Sequence, residues 1–242
     1  MNKSILSFCV LLALSPKLIL AADKHECLIE PAVLLGLSSP VAGVIESIRV
    51  DRGNTVRRGQ TLVKLHAGSE MAAVELAQAK FDFSSREVKR AEELFRDNFT
   101  SEHSVDEAVT TAKLAEVELK QAQAILAQKS LKSPVSGVVV QRRAQVGESV
   151  GNDEILKIAQ INPLHVEVVL PVDKLNSVAE GMDAIVYPQE PFGGEYTARV
   201  ATVDNVIDAA SGTFGVRLIL KNSGNKIPAG LRCHVIFLPL TE

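Results

Sequence analysis

The 242-residue chain has no tryptophan, two tyrosines and only 4% aromatic residues. A groove that stacks sugars or bases is therefore poorly supplied. It also lacks a basic excess: 26 Lys+Arg stand against 29 Asp+Glu, a net charge of −3. Without a basic face, nucleic acid is not an expected partner. Its five histidines, His25, His66, His103, His165 and His234, are scattered without ligand spacing, so no metal site is expected. No phosphate loop, dinucleotide fingerprint or nucleophile elbow occurs. Asp204 and Asp208 are neighbours, but a solvated turn accounts for them better than paired catalysis. The reading is a non-enzyme without catalytic residues or cofactor. Hydrophobic residues at 46% are ordinary for a folded protein and exclude general disorder.

Long apolar runs are also scarce. One runs from Ile5 to Leu14 after Lys3 and is followed by Pro16 and the small residues Ala21 and Ala22. This pattern reads as a secretory signal peptide over residues 1–22, cleaved near Ala22. At about ten residues it is half the roughly 20 needed to cross a bilayer. A retained anchor extended by Leu18, Ile19 and Leu20 competes with that reading, but Pro16 and Lys17 interrupt it. No other stretch is suited to crossing a membrane, so an exported, soluble protein is expected. Cys9 leaves with the signal. Cys27 and Cys233 remain, to pair in an oxidising compartment or to stay as two buried thiols. The charged neighbours Lys24-His25-Glu26 do not suit lipid attachment at Cys27.

An internal repeat organises the chain beyond the signal. Ser39-Pro40-Val41-Ala42-Gly43-Val44-Ile45 returns as Ser133-Pro134-Val135-Ser136-Gly137-Val138-Val139, and Gly53, Val56 and Leu62 match Gly147, Val150 and Leu156. Val, Ile and Leu alternate between glycine breakers, which reads as short strands. Turns are expected at Gly43, Gly53 and Gly59, and again at Gly137, Gly147 and Gly151, with glycine supplying positive φ.

Between the halves lie residues 69–129. Val74, Ala77, Phe81, Ser84, Val88, Ala91 and Phe95 recur at steps of 3 and 4, as do Val105, Ala108, Ala112, Ala115, Leu119, Ala122 and Leu126. The spacing predicts an antiparallel coiled-coil hairpin, about 40 Å long at 1.5 Å per residue. Ser69 and Ser104 are the expected N-caps, the second backed by Glu107. Lys80, Asp82, Arg86, Lys89, Glu92 and Glu93 occupy the flanks, with no clear second apolar stripe. A projecting rod therefore fits better than two core helices.

Past Asn162-Pro163, strands are expected at Leu164–Leu170, Ala184–Tyr187, Tyr196–Val203, Thr213–Leu220 and Arg232–Leu238. A short helix is expected over Asp173–Ala179. Together these suggest a small β-barrel.

The paired halves resemble a split lipoyl (biotinyl) domain. Lys64 lies within a strand rather than on the hairpin tip that carries the cofactor in that family, so a swinging-arm role loses its attachment point. With the inserted hairpin, the layout resembles the periplasmic adaptors, or membrane fusion proteins, of tripartite efflux pumps. The likeness is most specific from Arg90-Ala91-Glu92-Glu93-Leu94 to Ser101, which is similar to the family's tip motif. It implies a mainly β fold: a signal peptide (1–22), an N-terminal barrel strand (28–36), lipoyl-like halves (37–68 and 130–161) around the hairpin, and a β-barrel (162–240). It further implies that Arg90, Leu94 and Ser101 contact a TolC-like outer-membrane channel. Taken singly, these residues also allow an ion pair of Arg90 with Glu87 or Glu93, cover of Phe99 by Leu94, and a cap at Ser101. The implied partners are that channel, an inner-membrane transporter, with the resistance-nodulation-division type preferred over an ATP-driven one, and further copies in a ring. The implied location is the periplasm of a Gram-negative bacterium, with membrane association through partners. The family threads both chain ends through the barrel, which implies a Cys27–Cys233 disulfide. The chain reaches Glu242 directly after the last barrel strand. A short form without the family's membrane-proximal domain is therefore expected, with transporter docking at the barrel rim near Pro188–Tyr196.

Overall fold

A computed structural model describes residues 23–239; the expected signal peptide lies outside the described residues. Two strands organise the body. β1 (His25–Ser38) and β8 (Glu154–Pro171) pair antiparallel over nearly the whole of β1. A register shift between Pro31 and Val33 divides this ribbon into two working halves. The shift falls where proline has no N–H to give a ladder.

The first half of the ribbon belongs to a sandwich. β8 pairs with β6 (Gly137–Arg142), and β6 with β3 (Thr55–Val56). The facing sheet runs β5 (Ser130–Lys132), β4 (Thr61–Leu65), β2 (Gly43–Ile48) and β7 (Ser149–Val150). The sequence repeat becomes a spatial one, because each half lends a strand to the other. Gly43 pairs with Val150 as Val56 pairs with Gly137. The two serine–proline turns also match. Ser39 Oγ donates to the Val41 carbonyl and Ser133 Oγ to the Val135 carbonyl, each at 2.6 Å. Ile45, Val56, Leu62, Val139, Leu156 and Ile158 fill the space between the sheets.

The glycines correct one expectation. Gly53, Gly59 and Gly147 have positive φ, whereas Gly43, Gly137 and Gly151 do not. Gly137 opens β6, and a Cβ there would land on the Ala159 carbonyl oxygen of β8. Close backbone approach, not turn geometry, requires glycine at that position.

The second half of the ribbon closes a six-stranded barrel in the order β1, β12 (Arg232–Phe237), β9 (Asp183–Pro188), β10 (Tyr196–Val203), β11 (Thr213–Leu220), β8. The β1–β8 pairing shuts the ring, so no edge is left unpaired. The expected short helix is a 3₁₀ turn, Val172–Ser177. Alternate residues of β8 and β11 point inward. Leu164, Val166, Val168 and Leu170 meet Phe214, Val216, Leu218 and Leu220 in the barrel core. At the junction with the sandwich, Asn222 is buried and fully satisfied. Its amide donates to the carbonyls of Ile161 and Ile227, and its oxygen accepts from the Ile227 N–H.

α1 (Gly68–Arg96) and α2 (Glu102–Gln128) form the hairpin between β4 and β5. Ala77 and Ser84 of α1 and Ala115 and Leu119 of α2 are the residues buried in the hairpin. Small residues there let the helices approach closely. The expected caps are corrected. Ala67 precedes α1 without a side-chain cap, and Ser101, not Ser104, caps α2. Lys64 lies within β4 opposite Ser130.

Candidate interaction site at the hairpin tip

The tip is built from two helix ends. α1 stops because Asn98 takes φ 61°, a left-handed conformation that asparagine tolerates better than most residues. The Phe99 N–H then reaches back to the Leu94 carbonyl at 2.8 Å, and the Asn98 N–H to the Phe95 carbonyl at 3.0 Å. Those two bonds define a Schellman stop. α2 starts where Ser101 Oγ accepts from the Ser104 N–H at 3.3 Å. The two hydroxyls also lie 3.0 Å apart.

The three expected contact residues all lie in this end of the rod. Arg90 points outward and pairs with Glu87 at 2.6 Å on its own helix. An exposed i,i+3 pair of this kind holds the guanidinium only weakly. Leu94 is 43% exposed, and Ser101 is exposed beside its capping partner. The alternative in which Leu94 covers Phe99 leaves little mark, since Phe99 is 79% exposed. Phe95, expected on the seam, is 45% exposed, because it sits in the last turn of α1 with little of α2 to cover it. The tip therefore presents Leu94, Phe95 and Phe99, an apolar trio rimmed by polar groups. The sequence signal for the two phenylalanines was their place beside the helix stop at Asn98.

The shaft differs from expectation as well. A second apolar row does exist: Leu76, Phe83, Leu114 and Ile125 are exposed. At the root, Lys129 Nζ pairs with Glu70 at 3.0 Å and approaches the Ala42 carbonyl at 3.4 Å. One ammonium thus ties both helix roots to the sandwich. Its hydrogen bond holds the Glu70 carboxyl below its usual range. Away from this root the helices touch chiefly each other, and the rod stands clear of the sheets.

At the barrel, Cys27 and Cys233 are direct cross-strand partners of β1 and β12. They are joined as a disulfide, with Cα atoms 4.9 Å apart. The loop 189–195, within the expected docking rim, follows the end of β9 that points toward the sandwich. The opposite end carries the 3₁₀ turn and the β10–β11 loop, where Val206 is 83% exposed. Among the described residues no His, Cys, Asp or Glu cluster is arranged to hold a metal, and no helix is long and apolar enough to span a membrane.

A sandwich hybrid split by a helical hairpin and continued by a barrel defines a class of membrane fusion adaptor. The family model described as CzcB-like, barrel-sandwich hybrid domain matches residues 35–160, just over half of the sequence, and the chain belongs to that family. It is similar to the membrane fusion protein MtrC of Neisseria gonorrhoeae, 26% identical, over 81% of this chain and 55% of MtrC. It is also similar to the multidrug resistance protein MdtA of Xenorhabdus bovienii, 23% identical, over 81% of this chain and 53% of MdtA. The chain spans about half the length of the curated relatives it matches. In fold it is similar to a MacA–MexA chimera that carries the Pseudomonas aeruginosa MexA α-hairpin domain. That match has a TM-score of 0.74 and 18% identity, and it covers 89% of this chain and 80% of the chimera.

Proposed function

We propose that this protein is the periplasmic adaptor subunit of a tripartite efflux pump. It links an inner-membrane transporter to a TolC-like outer-membrane channel through the hairpin tip, acts as a scaffold rather than an enzyme, and works as several copies in a ring. The observation that carries the proposal is the rod itself. About 40 Å of paired helix stands free and ends in an exposed apolar trio, which is costly to display to water unless something covers it. Arg90 adds a fork of donors that suits helix-end carbonyls or carboxylates. Ser101 holds the start of α2 in place, so the loop presents a fixed surface. A transporter of the resistance-nodulation-division type fits the single short hairpin and its tip sequence.

Leu94→Asp tests the reading. The substitution puts a charge on the tip without touching the seam. Efflux and co-purification with the channel should be lost while export and far-UV helicity stay unchanged. Efflux that survives Leu94→Asp at normal protein levels overturns the proposed role of the tip.

A further inference from the structure

The rod meets the body through very little chain. His66 and Ala67 join β4 to α1, and Lys129 alone joins α2 to β5. The strand ladder runs on into these joints, with the Leu65 N–H bonded to the Lys129 carbonyl at 2.8 Å and the His66 N–H to the Val44 carbonyl at 2.9 Å. Beyond them α1 starts at Ala67 without a side-chain cap, and Glu70 in its first turn supplies the negative charge that a helix start favours. The Glu70 carboxylate accepts in turn from the Ser69 hydroxyl and pairs with Lys129 Nζ, each at 3.0 Å. The same ammonium reaches the Ala42 carbonyl, in the turn between β1 and β2, at 3.4 Å. Gly43 follows in that turn, and a Cβ there would stand 3.7 Å from Nζ, so glycine keeps the approach clear. The Lys129 and Glu70 side chains are 15% and 19% exposed. In every other ion pair among the described residues at least one partner is more than half exposed.

We infer that Lys129 and Glu70 are a positioning pair that fixes the heading of the rod relative to the sandwich. A rigid hairpin held at two joints can still swing about the line through them, and a third contact off that line removes the freedom. The Ala42 carbonyl, reached by Lys129, is that third contact. Packing does not take its place, because the helices touch chiefly each other. Set against an apolar pair of similar size, a buried ion pair adds little or no stability, since desolvation offsets the attraction. Its particular contribution is geometric: an ammonium shared between one carboxylate and one carbonyl is satisfied in one arrangement, whereas apolar contacts slide. The length of the rod makes the angle matter. On a rod of about 40 Å, a swing of about 10° moves the tip by about 7 Å, more than one turn of helix. The inference concerns the joint and does not rest on what the tip binds.

The test uses the full exported chain with its disulfide intact. Nitroxide labels go on Asp97→Cys at the tip and on either Arg52→Cys or Asp153→Cys in the sandwich, all exposed positions. Pulsed electron spin resonance then gives two tip-to-sandwich distance distributions. Both should be narrow in the otherwise wild-type chain. Lys129→Met should broaden them at least twofold with far-UV helicity unchanged. Glu70→Gln keeps an acceptor for Lys129 without the charge and should broaden them less. The double variant Glu70→Leu, Lys129→Met separates heading from stability. Its melting temperature should equal or exceed that of wild type, while its distributions stay as broad as those of Lys129→Met. A merely structural pair would do the reverse, lowering the melting temperature and leaving the distances alone. Where Lys129→Met loses helicity, the double variant, with no charge left unpaired, gives the reading by itself. Equal widths in wild type and Lys129→Met, or in wild type and the double variant, overturn the inference. Failure of Leu94→Asp to affect efflux leaves this result untouched, because the distances are read without a partner.

Discussion

Single residues decide the shape of the tip. Ser101 replaces a missing partner for one of the orphan N–H groups at the start of α2, and Asn98 accepts the conformation that ends α1. The serine therefore has a structural duty besides the contact proposed for it, and substitution separates the two. Ser101→Ala should destabilise the α2 start by about 1 kcal/mol, read as faster amide exchange over residues 102–105. Ser101→Asp keeps a capping oxygen and should leave exchange near wild type. If channel binding follows the alanine variant but not the aspartate variant, the hydroxyl acts through the cap. Gly137 shows the same economy in the sandwich. Gly137→Ala has nowhere to place its methyl except against the Ala159 carbonyl, and overpacking of that kind costs about 1–3 kcal/mol. A denaturation midpoint equal to wild type would show that β6 can move away from β8.

At the level of elements, the hairpin is held by few buried groups and by several ion pairs. On α2, hydrogen bonds from Lys113 and Lys120 lower the Glu116 carboxyl to about 2. At the root, Lys129 lowers Glu70. A carboxyl with a depressed folded-state pKa contributes its full stability above the unfolded value near 4.5. That contribution fades as pH falls toward the folded value. The hairpin should therefore lose stability between about pH 4.5 and pH 2, measured as a falling helix melting temperature by circular dichroism. Glu116→Gln should flatten that dependence, and a pH profile identical to wild type would show that Glu116 contributes nothing. The barrel strands rest on the alternating core of β8 and β11, so the loss belongs to the helices first.

For the molecule as a whole, the β1–β8 ribbon is the common frame. It supplies one wall of the sandwich, closes the barrel, and carries Cys27 to Cys233. That disulfide spans 206 residues of sequence, so it restrains most of the unfolded chain, and loops of that size correspond to stabilisation of a few kcal/mol. Reductant should lower the urea midpoint of the wild-type protein and leave a Cys27→Ser, Cys233→Ser double variant unmoved. Two free thiols found in the exported, denatured protein would remove the disulfide from this picture.

Much of this architecture was legible in the residues. The offset between Ser39-Pro40-Val41 and Ser133-Pro134-Val135 fixed two matching halves, because a repeated pattern of breakers and apolar residues folds the same way twice. The steps of 3 and 4 from Val74 to Leu126 fixed the hairpin, because helical periodicity is local. Alternation in β8 through β12 likewise announced strands. Three things needed the third dimension. That Gly137 serves close packing rather than a turn depends on β8, a partner distant in sequence. The exposure of Phe95 and Phe99 depends on how much of α2 reaches the last turn of α1. The exposure of Leu76, Phe83, Leu114 and Ile125 on the shaft depends on the rotation of one helix against the other, which only the seam sets.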